Sequence, residues 1–138
     1  MHRAVQSIAA LALIAACSKP APPPQQQAAA APGVQWTLVV LYNQPKDTAA
    51  FEKYYAEKHL PLLAAHAQEI GYTRGELIRF APAADGKPAP VCREADLRWD
   101  TKEARDKGLA TPGFKAIGAD IPNFATGGVT VLLGQKTN

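Results

Sequence analysis

"QWTLVVLYNQPKDTAAFEKYYAEKHLPLL", residues 35–63, sets the fold because it changes hydrophobic period once and then meets a proline. Residues 35–42 are rich in β-branched and aromatic types, the composition of a strand. The turn "NQPKD" follows, and Asp47 or Thr48 can cap a helix by accepting from its free N–H groups. From there Phe51, Tyr55, His59 and Leu62 recur at helical spacing, with Tyr54 and Lys58 beside them. Glu52, Lys53 and Glu57 lie toward the opposite side. The spacing predicts a helix from Ala49 to Leu60. Pro61 has no N–H for the carbonyl of Glu57, and its ring clashes there. A second helix, from Pro61 to about Ile70, is therefore expected at a new angle.

Reading outward toward the C-terminus, "YTRGELIRFA" (72–81) has strand composition, with Gly75 marking a bulge or a close approach. "PAADGKPAP" (82–90) is a long turn. "VCREADLRWD" (91–100) alternates, placing Val91, Arg93, Ala95, Leu97 and Trp99 on one side and Cys92, Glu94, Asp96 and Arg98 on the other. A helix is expected from Lys102 to Leu109, a short helical turn over 114–120 and a last strand over 127–135. The order β-α-β-β-α-β is that of an α+β, ferredoxin-like sheet with helices on one face. The other face is then bare, and self-association into a homodimer, sheet to sheet, would cover it.

Toward the N-terminus the chain reads as an address. Arg3 precedes a short apolar run from Ile8 to Ala16, about half of the roughly 20 residues a bilayer-spanning helix needs. That run is the h-region of a secretory signal, residues 1–16. Ile14-Ala15-Ala16-Cys17 resembles a bacterial lipobox, which implies lipidation of Cys17 and anchoring in the membrane. Ser18 in place of Asp favours the outer membrane, facing the periplasm. Residues 17–33 add a Pro/Gln/Ala-rich tether too polar to repay its own ordering entropy.

Residues 34–138 remain as one domain. It carries 13 Lys and Arg against 12 Asp and Glu, since Arg3 and Lys19 lie outside it. No basic run interleaved with aromatics occurs, so nucleic acid is not an expected partner. With Cys17 lipidated, Cys92 has no partner in its own chain and reads as a small buried apolar residue. No metal-ligand cluster, phosphate-binding glycine loop or nucleophile motif is present, and no cofactor is evident.

Two segments then carry a family likeness. "VVLYNQPKDTAAFEKYYAEKHLPLL" (39–63) and "IPNFATGGVTVLLG" (121–134) resemble the EthD family of the dimeric α/β-barrel superfamily, over essentially all of residues 35–135. The resemblance implies a ferredoxin-like protomer pairing into a barrel with a cavity. It also implies an oxidoreductase-like label resting on little defined chemistry. The apparent lipoprotein leader departs from the family's typical soluble, cytoplasmic members.

His59 has three readings. It can cap the carbonyls freed by Pro61, stack on Tyr55, or face a ligand as a proton-transfer group. The family resemblance makes it the polar group expected in the cavity. Tyr42 and Tyr55 are further candidates to meet a ligand. Asp96, with Glu94 on its strand face, supplies a base if that face lines the cavity, and is merely solvated beside Arg98 if it does not. Asn123 either bonds a ligand or shapes a turn, and His66 is expected at the surface. An apolar cavity with few polar groups suits a small hydrophobic or aromatic compound. Two functions follow: a tethered enzyme using His59, or a non-catalytic carrier of such a compound or of haem.

Overall fold

The computed structural model describes residues 33–137. The signal segment, Cys17 and the tether up to residue 32 lie outside the described residues. Four strands, β1 (Val34–Asn43), β2 (Arg74–Arg79), β3 (Val91–Trp99) and β4 (Val129–Thr137), form one antiparallel sheet in the order β2-β3-β1-β4. Between β1 and β2 run α1 (Thr48–Tyr54) and α2 (Leu60–Ile70); between β3 and β4 run α3 (Lys102–Leu109) and α4 (Pro112–Asp120). This is the ferredoxin-like α+β arrangement the element order predicts. Among the described residues no helix is long and apolar enough to cross a membrane.

Local chemistry fixes the helix ends. The Asp47 carboxylate accepts from the N–H of Ala50, Thr101 from Ala104 and Thr111 from Phe114. Thr111 together with Pro112 starts α4 two residues earlier than the sequence suggested, because proline suits the first helical position. Gly71 closes α2 at φ 69°, where any side chain would be strained. Gly75 makes no bulge. Its β2–β3 pairing is regular, and a Cβ there would sit 3.3 Å from the Tyr72 ring, so it serves close approach.

The break expected at Pro61 does not occur. Residues Tyr55–His59 form one π-helical turn, in which the N–H of Leu60 bonds back five residues to Tyr55. Bonding five back takes Glu57's carbonyl out of the path of the Pro61 ring, so backbone torsions stay right-handed helical throughout. The extra residue also shifts the inward stripe. Phe51, Tyr55, His59 and Leu63 are buried at successive four-residue steps, and Leu63 replaces the expected Leu62.

The core lies between the sheet and the helices. Leu38, Val40 and Tyr42 of β1 and Ala95, Leu97 and Trp99 of β3 are its sheet side. The Trp99 indole donates to the carbonyl of Ile70 across 3.1 Å, tying the end of α2 to the sheet. Neither face of β4 is covered: Val131, Leu132 and Leu133 are all half-exposed.

Candidate functional site

α4 packs against α2 and leaves a cavity of about 590 Å³ over the β1, β3 and β4 strands. Leu38, Val40, Leu97, Phe114, Ile117 and Leu133 make much of its wall, and Tyr42 and His59 are the only residues lining it with polar side chains. The volume lies in the range of small-ligand sites. The family resemblance implied protomers pairing into a barrel with a cavity; sixteen residues of one chain line this one.

His59 is 3% exposed and Tyr42 2%. The imidazole sits among rings, its centroid 4.7 Å from that of Phe124 and 5.5 Å from that of Tyr55. Neither a backbone carbonyl nor Tyr55 alone holds it. Its Nδ1 is 2.9 Å from Oδ2 of Asp120, and its Nε2 is 3.2 Å from the Tyr42 hydroxyl. A carboxylate only accepts, so the neutral ring carries its proton on Nδ1 and Nε2 accepts from Tyr42. The helix-cap reading of His59 is thereby replaced, and the stacking reading survives as one contact of several.

Asp120 organises the cluster. The Tyr54 hydroxyl donates to its Oδ1 across 2.8 Å, and the Asn123 amide across 3.0 Å. Burial pushes the Asp120 carboxyl up, but the bonds from His59, Asn123 and Tyr54 outweigh it and hold the group below its ordinary value. The Tyr42 hydroxyl is pushed well above the usual tyrosine range, chiefly by burial and then by the nearby Tyr55 and Asp120. Burial also raises Tyr55, to about 12, although Arg93 opposes it from 4.6 Å over the ring.

The candidate residues separate cleanly in space. Tyr42 and His59 line the cavity, and Tyr55 packs behind them as a fully buried ring. Asn123 supports Asp120 from the turn after α4. Asp96 does not reach the cavity. It lies on the opposite face of the sheet, in register with Val39, and the Arg98 guanidinium grips it at 2.6 Å. Nor is it merely solvated, since Asp96 is 8% and Arg98 5% exposed; Thr37 donates to Asp96, and the far side of the Arg98 guanidinium donates to Glu76 at 2.7 Å. His66 pairs with Glu69 at 3.0 Å, away from the site. Among the described residues no three His, Cys, Asp or Glu side chains converge on a metal position.

Sequence reasoning missed Asp120 and Tyr54. One signal was available. Asp120 ends α4, where the helix dipole favours a cation and disfavours a carboxylate. A residue set against its local preference is expected where a site demands it.

The domain model described as EthD matches residues 43–128. A Rhodococcus erythropolis protein, described as an uncharacterized 11.0 kDa protein in the thcB-thcC intergenic region, is 33% identical over 101 residues, covering 73% of this chain and 94% of its own. A solved EthD-family protein of Bacillus halodurans is similar in structure, with TM-score 0.63 and 27% identity, over 72% of this chain and 96% of that one. A dimeric ferredoxin-like protein of unknown function from Bacteroides fragilis matches at TM-score 0.55 with 8% identity, over 77% and 97% of the two chains. That last likeness is one of fold alone.

Proposed function

The chain belongs to the EthD family, and from that premise we propose that it is an enzyme moving a proton on a small apolar or aromatic compound. His59 is the proton-transfer group. The observation that carries this reading is the placement of its ring between the Asp120 carboxylate and the Tyr42 hydroxyl, at the wall of an apolar cavity. Asp120 fixes the tautomer and stabilises the imidazolium once Nε2 has taken a proton, the logic by which an acid orients a histidine base. The apolar wall lowers the local dielectric and strengthens each of these contacts. The oxidoreductase-like label of the family fits a reaction that such a deprotonation begins.

Exchange of carbon-bound hydrogen tests this directly. Wild-type protein in D₂O with a panel of small enolisable and hydroxyaromatic compounds should speed deuterium uptake, read by mass spectrometry. His59→Ala should lose the exchange while the compound still binds. Equal exchange by His59→Ala overturns the assignment. Binding with no exchange by either protein selects a carrier. A haem carrier finds less support, because both ring nitrogens of His59 already have partners.

The homodimer is supported by the half-exposed Val131, Leu132 and Leu133 on the uncovered edge strand β4. Sedimentation at micromolar concentration should give a dimer. The membrane anchor rests on the lipobox-like Ile14-Ala15-Ala16-Cys17. Labelled palmitate should enter the protein and be lost in Cys17→Ser, with the protein recovered in the outer membrane.

A further inference from the structure

We propose that Tyr42, not His59, is the atom-to-atom contact with the substrate, and that the substrate class is a phenol or enol whose O–H hydrogen-bonds to the Tyr42 oxygen. This deepens the reading of His59 as the proton acceptor and rests on it.

Nδ1 of His59 is committed to Asp120 and Nε2 to the Tyr42 hydroxyl, so no ring nitrogen is free for a ligand. The Tyr42 oxygen is different. Its one proton goes to Nε2, leaving oxygen lone pairs that can only accept. The cavity therefore offers its ligand an acceptor through Tyr42, and the ligand must bring a donor. The rest of the cavity wall is apolar, with Leu38, Val40, Val129, Ile121 and Phe114 among its residues. A ligand matched to such a wall is an apolar or aromatic body with one acidic hydroxyl, since any second polar group would be buried without a partner.

The proton path then balances. The substrate O–H bond breaks and its proton forms an O–H bond on Tyr42. The original Tyr42 proton leaves for Nε2 of His59. The substrate becomes a phenolate or enolate, Tyr42 ends neutral, and His59 ends as an imidazolium facing the Asp120 carboxylate. The two transfers run together, because burial raises the Tyr42 hydroxyl far above the usual range and a free tyrosinate is disfavoured there. No oxidant or cofactor enters this step.

The probe is 2,4,6-trichlorophenol, an acidic phenol with no second hydrogen-bonding group, whose phenolate absorbs at longer wavelength than the phenol. It is titrated into the full chain at a pH below its own solution pKa. Binding is read by mass spectrometry and ionisation by absorbance. In parallel, ¹⁵N NMR of the histidine ring reads the Nε2 bond with nothing bound. The expected result is a bound phenolate band in the wild type. Tyr42→Phe should keep the bound phenol but reduce the phenolate fraction about tenfold, the worth of a hydrogen bond to a charged group. Its Nε2 signal should also move to that of an unbonded nitrogen. An undiminished band in Tyr42→Phe overturns the relay while leaving His59 as base. A band that survives His59→Ala overturns the reading of His59 itself. Binding of the phenol without ionisation, or no binding, overturns the phenol class.

Discussion

Each face of the sheet buries a polar cluster, and the two clusters differ in kind. On the outer face Asp96, Arg98 and Glu76 close a chain of full opposite charges, with Thr37 on the last free oxygen. On the helix face Tyr42, His59, Asp120, Tyr54 and Asn123 hold a single formal charge and a succession of groups that can exchange protons. Among the described residues, the second cluster lines the 590 Å³ cavity and the first does not. Burial and charge are common to both. What separates a site from a brace is the void beside it and the presence of partners that can change protonation without leaving a charge stranded.

The comparison breaks most visibly if the outer cluster proves dispensable. Arg98→Met leaves the Asp96 carboxylate buried without its ion partner and should cost about 3 kcal/mol in urea unfolding. That is near the low end for a buried pair, because the Glu76 end of the cluster is open to solvent. The paired change Asp96→Leu with Arg98→Met should restore most of the loss, and ligand binding in the cavity should be unaffected throughout. Loss of binding in that double variant would show the two faces to be coupled.

His59→Ala comes next. It strands the Asp120 and Tyr42 groups and should cost about 2 kcal/mol by the same unfolding measurement. Unlike Arg98→Met, it should also remove proton exchange. A smaller effect sharpens the contrast through pH. The folded Asp120 titrates below its ordinary 3.8, so its contribution is fully present above the unfolded value. It is lost as pH falls through the lower, folded one. Asp120→Asn should therefore be less stable than wild type at pH 7, by about 1 kcal/mol. It should also flatten the fall of stability below pH 4, read as melting temperature across that range. The smallest effect belongs to the cavity mouth. Leu133→Lys, at a position 57% exposed, should change protomer stability by less than about 0.5 kcal/mol while weakening ligand uptake and self-association.

Much of this architecture was legible before any coordinates. The strands announce themselves by different signals, β1 by β-branched and aromatic composition and β3 by an alternation that correctly separates Ala95, Leu97 and Trp99 from Asp96 and Arg98. Alternation cannot say which side carries the cavity, so Asp96 was read as a possible base when it braces the far face. Pro61 was read as a break because a sequence reports the missing N–H and not the five-residue bond that accommodates it. Tyr42 and His59 could be singled out, since one ends a strand and the other sits on the buried helix stripe. Their partner could not. Asp120 is 61 residues from His59, and only the return of α4 across α2 brings the two together.

One wall of the cavity is the last strand of the chain. Val131 and Leu133 of β4 form it, and β4 is hydrogen-bonded on one side only, to β1. A segment attached along a single edge is the part of a sheet that opens at lowest free energy. A ligand too bulky for the existing mouth would enter by the same local opening that exposes the β4 amides. The entry rate for a bulky ligand should follow the amide exchange rates of residues 130–134, and whatever fastens the free edge of β4 sets how fast the site fills.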